Sequence, residues 1–200
     1  MKIKIIFLSI MLFAVTGAFI SCCNKDKTSK SADEIVLENI ANRKSVRNYV
    51  EGKQVESEKI EKLLRAGMAA PSGKNIQPWE FVVINERTVL DALAAELPYA
   101  KMLQQATLAI IVCADTLKSE YWYVDCAAAT ENILLAAEAL ELGAVWTASY
   151  PYANRMSAVH KVTQHPDNVR SLCVIAIGYP SMKESPKDKW KPEKIHKNKW

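Results

Sequence analysis

Two short stretches of this chain carry side chains suited to holding a phosphate and reading a polar ring. The first is Arg43-Lys44-Ser45-Val46-Arg47. Arginine presents a rigid fork of donors that matches phosphate oxygens, and Ser45 adds a hydroxyl. In extended backbone alternate residues share a side, which would bring Arg43, Ser45 and Arg47 together. The same charges also suit the end of a helix, where positive charge is favourable for backbone reasons alone. The second stretch is Ala69-Ala70-Pro71-Ser72-Gly73-Lys74-Asn75-Ile76-Gln77-Pro78-Trp79. Ser72, Asn75 and Gln77 offer groups that could read a heterocycle or a sugar chain. Gly73 and the prolines can fix the path of the loop, and Pro78 biases Gln77 toward extended backbone. By composition alone this is also an ordinary loop between a helix and a strand, with Trp79 packed behind it.

Other chemistries find less support. His160, His165 and His196 are widely separated in sequence and lack metal-ligand spacing, so no metal site is expected. No serine stands in a nucleophile-elbow sequence. Cys113, Cys126 and Cys173 each sit among apolar residues and form no closely spaced pair; buried free thiols are expected. The formal net charge is only +4, and the positives form no long stripe with interleaved aromatics, so no nucleic-acid partner is expected.

The elements that must position these residues follow from periodicity. Ser31 and Asp33 are plausible caps before Ile35, Val36, Leu37 and Ile40, a helix ending near Arg43. Asn48 to Lys53 reads as a turn. Ser57 opens a second helix with Ile60, Leu63, Leu64 and Met68 on one face, ending near Ala69. Phe81 to Ile84 is a strand, Thr88 to Leu97 a helix, and Thr107 to Cys113 a buried strand. Tyr121 to Leu142 is the longest helix and is apolar on more than one side, so it belongs at the centre of a domain or an oligomer. Gly143 stands where a C-cap glycine is expected. Ala144 to Thr147 and Val169 to Ile177 are strands, with helical turns over Asn154 to Lys161. The tail from Met182 to Trp200 carries seven lysines against three acids. Strands and helices are interspersed, which predicts an α/β or α+β class with a small sheet.

The chain has 200 residues, of which 50% are hydrophobic and 24% charged, enough for one domain with a real core. Lys2 and Lys4 precede an apolar run from Ile5 to Ile20 that meets Ser21-Cys22-Cys23. A basic start, an apolar middle and small residues at the end resemble an export signal of the lipoprotein type, with Cys22 as the lipid-attachment residue. The expected organisation is a signal peptide over 1–22, a polar tether over 23–32 and a folded domain over 33–200. This predicts a bacterial cell-envelope protein held at the membrane by a lipid anchor and facing outside the cytoplasm.

The loop resembles that of the nitroreductase-like flavoproteins: Ala70-Pro71-Ser72, then Asn75, then Gln77-Pro78-Trp79. The Arg43 to Arg47 segment is similar to the same family's first flavin-binding segment. The alanine-rich helix with Asp125 and Asn132, the stretch Leu142 to Thr147 and the ending Ala176 to Pro180 match as well. The resemblance covers residues 34–200. It implies an α+β, three-layer α/β/α fold: a mostly antiparallel central sheet, helices on both faces, and an intertwined homodimer with FMN sites across the interface. Carried onto this chain, Arg43, Lys44 and Ser45 would hold phosphate and ribityl oxygens, with Arg47 near the polar edge of the ring. Pro71, Ser72 and Asn75 would line the site from the partner subunit, with Gln77 beside them. Trp146, Thr147, Ala148 and Ser149 would pass along the ring, with an N–H of Ala148 or Ser149 facing its reactive nitrogen. Lys187 or Lys189 would reach the phosphate.

Two departures stand out. Lys44 replaces a frequent second arginine, and lysines replace the arginine often found in the tail; lysine neutralises phosphate but loses the bidentate geometry. The activity implied is transfer of hydride from NAD(P)H to electron-poor acceptors such as nitroaromatics or quinones. No catalytic side chain is expected, because the cofactor carries the difficult chemistry. The alternatives are a lipid-anchored flavin-binding or redox-partner protein, or a flavoenzyme of the same fold with a specialised substrate and no use of NAD(P)H.

Overall fold

The computed structural model describes residues 30–200. Its centre is a four-stranded, wholly antiparallel sheet in the order β1-β2-β4-β3. The strands are β1 (Trp79–Ile84), β2 (Leu108–Asp115), β3 (Gly143–Ala148) and β4 (Val169–Gly178). The helices are α1 (Ala32–Asn42), α2 (Ser57–Met68), α3 (Arg87–Glu96), α4 (Trp122–Ala139) and α5 (Ala153–Thr163).

Side-chain alternation along each strand builds two cores, one on each face of the sheet. Leu108, Ile110, Val112 and Ala114 of β2 join Cys173, Ile175 and Ile177 of β4 on one face, where α2 and α4 cover them through Leu63, Cys126, Ala129 and Ile133. Ala109, Ile111 and Cys113 join Val174 and Ala176 on the other, under Leu90, Leu93 and Ala94 of α3 and Val159 of α5. Because both faces are covered, β2 and β4 read as near-continuous apolar runs. The architecture is therefore the expected three layers, helix on sheet on helix.

α4 is buried at Trp122, Cys126, Ala129, Ile133 and Ala137, a spacing of three and four residues that faces the sheet. Its other side is met by α2 and α1, with the Asn132 amide donating to Ala66 O at 3.0 Å and the Asn39 amide to Leu135 O at 3.0 Å. Of the two places expected for this helix, the centre of a domain or of an oligomer, the structure shows the first: α4 packs in the middle of the chain's own core, while Tyr123 and Val124 in its first turn remain exposed.

Gly143 is a second correction. α4 ends through Glu141, which takes the left-handed backbone (φ 59°), while Gly143 opens β3. A side chain at Gly143 would stand 2.6 Å from Val46 Cγ1. Glycine is needed there for close approach, not for capping. At α2 the cap position falls on Glu56, with Ser57 as the first helical residue.

The membrane expectation is also corrected. Among the described residues no helix is long and apolar enough to cross a membrane. The apolar character of α4 is used inside the domain. The signal-peptide reading over 1–22 and lipid attachment at Cys22 lie outside the described residues, as does most of the 23–32 tether. Neither the lipid anchor nor the envelope location is retained.

Candidate functional site

The segment from Arg43 to Tyr49 is clamped along the open side of β3. Its Val46 N–H donates to Ala144 O at 3.0 Å, and Ser45 and Tyr49 form isolated bridges with Ala144 and Pro180. Val46 and Tyr49 are buried, at 2% and 3% exposure, and act as the two anchors. The Tyr49 hydroxyl lies 2.7 Å from Val46 O and 3.0 Å from Ala176 O, and burial pushes its proton affinity up. With 46 and 49 turned in, Ser45 and Arg47 are turned out to solvent.

Three cavities touch this segment, and Arg47 lines two of them. One, of about 310 Å³, is lined by Arg43, Lys44, Ser45, Arg47, Glu184, Ser185, Lys187 and Lys189. It gathers five cationic side chains and two hydroxyls around a single carboxylate, a donor set that suits a phosphate and a polyol chain. Both tail lysines expected at the phosphate reach it. The other cavity, of about 240 Å³, runs along the edge of β3 past Val145, Trp146, Thr147 and Ala148, with Arg47, Tyr99, Met102 and Arg155 around it. Arg47 lines both, so the two adjoin at its side chain. A phosphate-bearing chain with a flat polar ring at its end fits this pair of spaces.

The backbone of β3 adds direction. β3 is an edge strand, and in an antiparallel strand the N–H and C=O of one residue point to the same side. Ala144 O accepts from Val46 and so points away from β4. Trp146 and Ala148, in step with it, aim their N–H groups along the open edge, where a ring could accept from them. Ser149 is out of step. Its N–H donates to Leu172 O at 2.9 Å, its side chain is 1% exposed, and its hydroxyl is buried with no hydrogen-bond partner. Of the two expected N–H donors, the edge leaves Ala148 and adds Trp146.

Arg43 and Lys44 are partly committed within the chain. Arg43 Nε lies 3.1 Å from Glu131 Oε1, and Lys44 Nζ lies 3.2 Å from Glu138. Both carboxylates belong to α4, so these pairs tie the cationic segment to the central helix. Among the described residues Arg47 forms no ion pair.

The loop of Pro71, Ser72, Asn75 and Gln77 lines neither cavity. It is held at the other end of α4. Buried Asp125, at 4% exposure, accepts the Gly73 N–H at 2.9 Å. Ser72 Oγ accepts the Gln77 N–H at 3.0 Å, and the Gln77 amide donates to Asn75 at 2.9 Å. Lys74, Asn75 and Gln77 all have positive φ (54°, 56° and 53°), so Gln77 is left-handed where extended backbone was expected. The loop is a strained, self-bonded cap. Asp125 and Asn132, which the sequence resemblance picked out, serve as its supports and those of α2.

The remaining titratable groups lie elsewhere. A cavity of about 540 Å³ brings Glu138, Glu141 and Glu184 against Lys44 and Lys183, a poor balance for phosphate. His160 and His165, separated in sequence, meet at 4.8 Å between ring centroids, with His160 Nε2 3.5 Å from Asp167. Burial and then His160 hold the proton affinity of His165 down. No metal-binding group of three or more ligands occurs among the described residues. Cys113, Cys126 and Cys173 are free and buried, as expected. Sequence reasoning missed Tyr99, Met102 and Arg155, which reach the site from the α3–β2 connection and from α5. No local spacing announces them.

Comparison with known proteins follows the same geometry. The model of the nitroreductase family matches residues 40–105 and 88–179. The chain belongs to the nitroreductase family. A protein of Archaeoglobus fulgidus, provisionally named an NADH dehydrogenase/NAD(P)H nitroreductase, is 41% identical over 174 residues, covering 84% of this chain and 99% of that one. A crystal structure bearing the same provisional name, from Bacteroides thetaiotaomicron, is 60% identical with a TM-score of 0.82, covering 83% of this chain and 98% of the other. A nitroreductase structure from Desulfovibrio desulfuricans, provisionally named and solved in complex with FMN, is 29% identical with a TM-score of 0.72, covering 86% and 99%.

Proposed function

We propose that this nitroreductase-family chain is an FMN-dependent oxidoreductase that uses NAD(P)H to reduce electron-poor acceptors such as nitroaromatics or quinones. The observation that carries the reading is the placing of the cationic cavity next to the β3-edge cavity, with Arg47 lining both. The names of the relatives supply the reaction class, and the FMN complex of one of them supplies the cofactor.

FMN, when bound, would supply the hydride-transfer chemistry between a reduced nicotinamide and the acceptor. The chain supplies position and charge. Arg43, Ser45, Lys187 and Lys189 hold the phosphate end, with Lys44 adding charge behind them. Arg47 bridges to the ring end and places a positive group where negative charge develops on reduction. The Trp146 and Ala148 N–H groups fix the ring's polar edge, and the rigid β3–β4 pairing keeps those donors in register. Thr147 sits between them, and Ser149 acts behind the strand, anchored to Leu172.

Pro71, Ser72, Asn75 and Gln77 are tied to the start of α4, whereas Lys44 is tied to its end. Within one chain the loop lines neither of the two cavities at the arginine segment. Their separation supports the finer reading of the fold, in which the loop of one copy reaches the flavin held by another. Sedimentation of the holoprotein tests it: twice the 22.4 kDa chain mass is expected, and a flavin-bound monomer contradicts it.

The reaction is tested by anaerobic mixing of the FMN-loaded protein with NADH or NADPH, followed by a nitroaromatic or a quinone. Bleaching near 450 nm by a nicotinamide (roughly the oxidised-flavin band) and its return on adding acceptor are expected. A flavin that neither nicotinamide bleaches contradicts the proposal and favours a specialised flavoenzyme.

A further inference from the structure

Arg155 stands at the rim of the β3-edge cavity in an arrangement that holding FMN does not explain. It lies in the first turn of α5, just after the turn that leaves β3. Its guanidinium carbon is 3.9 Å from the centroid of the Tyr152 ring and 4.6 Å from that of Tyr99. One of its N–H groups donates to Ala148 O at 3.3 Å. Two aromatic faces and a carbonyl thus hold a planar cation in one orientation. A guanidinium carries five N–H donors, and among the described residues only this one has a hydrogen-bond acceptor. Among the described residues no carboxylate pairs with it. Tyr99 and Tyr152 are 66% and 48% exposed, so the three planar groups stand open at the mouth beside Trp146 and Ala148.

Holding Ala148 O would need only one donor, and a neutral amide could supply it. A fixed, uncompensated fork of donors next to a ring-sized slot is one half of an oxyanion recognition pair. The tyrosine rings add flat apolar surface on which an aromatic ligand can lie.

We propose that Arg155 is a specificity-determining residue that selects ligands bearing an anionic oxygen group beside the flavin ring. This rests on the FMN-oxidoreductase reading above. The oxyanion has two sources, a carboxylate on the aromatic acceptor or a phosphate of the nicotinamide dinucleotide. Both would place their negative charge on the free side of the guanidinium while the reacting ring lies along the β3 edge.

The test uses the FMN-loaded full chain as wild type, Arg155→Gln and Arg155→Lys. In the acceptor arm, kcat/KM is compared for 4-nitrobenzoate and the neutral 4-nitrobenzamide. In the donor arm, NADH and NADPH are compared with the uncharged 1-benzyl-1,4-dihydronicotinamide. Separately, benzoate and benzamide are titrated against the flavin absorption spectrum to give Kd without turnover. In Arg155→Gln the anionic-to-neutral ratio should fall about tenfold in one arm, through KM rather than kcat, as loss of a charge-assisted hydrogen bond predicts. If the acceptor arm responds, Kd for benzoate should rise by a similar factor. Arg155→Lys should restore part of the ratio, because it keeps the charge and loses the fork. Equal losses for charged and neutral ligands, or unchanged ratios in both arms with flavin bound and bleached, overturn the inference and leave the oxidoreductase reading standing. A wild-type protein that binds no FMN overturns both.

Discussion

Arg47 is set apart from the other cations of its segment by what it does not touch. Arg43 and Lys44 each meet a carboxylate of α4, while Arg47 faces two cavities with no ion-pair partner among the described residues. Removing it should therefore weaken cofactor binding without unfolding the domain. Arg47→Ala should raise the Kd for FMN at least tenfold, the loss of roughly 1.5–3 kcal/mol expected for a hydrogen bond to a charged group. Equilibrium titration of apoprotein with FMN measures it, and circular dichroism checks that the fold is kept. The cationic cluster was legible in part: Arg43, Ser45 and Arg47 are chemically conspicuous, whereas the tail lysines were reached only through the family resemblance. The placing of Ser149 and Arg155 was not legible. Whether a residue's N–H faces the open edge or the neighbouring strand depends on which strand lies at the edge, and no local pattern encodes that. Arg155 joins the site through the packing of α5 against the sheet.

At the scale of elements, α4 organises the molecule by holding different pieces along its length. Asp125 near its start holds the Gly73 N–H; Glu131 and Glu138 further along hold Arg43 and Lys44. Asp125→Ala would leave a buried N–H without its acceptor, at a cost of about 1–3 kcal/mol. Native-state hydrogen exchange should show faster exchange at Gly73 and little change along β2. A second element-level device is the clamp of Val46 on β3. Gly143→Ala would force a methyl to within 2.6 Å of Val46 Cγ1 and should destabilise by about 1–3 kcal/mol. Thermal melting should show a lower Tm, and retention of FMN should fall with it, since Ser45 and Arg47 ride on the same segment. Among the described residues the four strands and α1 to α4 were legible to within a few residues at their ends, while α5 was read only as a helical turn or two. The role of Gly143 was not legible, because glycine after a helix reads as a cap until the neighbour that excludes a side chain is seen. The positive φ of Lys74 and Gln77 was equally hidden, since neither residue type favours the left-handed region, whereas Asn75 is of a type that does.

For the whole molecule, the two cores explain why the sheet reads as apolar on both faces and why the cysteines are inert. Cys126 Sγ lies 3.3 Å from Cys113 O, and Cys173 Sγ 3.4 Å from Thr130 Oγ1, all in the interior. Burial pushes the thiols of Cys113 and Cys173 up to about 12, from an ordinary value near 9. A raised folded value favours the neutral thiol. The stability it contributes is fully present below about pH 9 and is lost as the pH rises toward 12. Denaturant midpoints should hold near neutral pH and fall through that alkaline window. Thiol-specific reagents at pH 8 should label none of the three until the protein is unfolded; rapid labelling of the native state would contradict their burial. The layered architecture was legible from the alternation of strands and helices. Membrane anchoring was a false lead, drawn from the first residues of the chain and given no support by the described domain, whose one long apolar helix is spent on the sheet.

The central claim is that two adjoining cavities, one cationic at 43–47 and 187–189 and one lined by backbone donors at 146–148, together hold FMN. A crystal structure of the FMN-loaded protein tests it most directly. The phosphate should lie among Arg43, Ser45, Lys187 and Lys189, with Arg47 at the ring end and the Trp146 or Ala148 N–H within hydrogen-bond distance of the ring. FMN bound instead in the acidic cavity beside Glu138 and Glu141, or with its ring away from the β3 edge, would contradict the account.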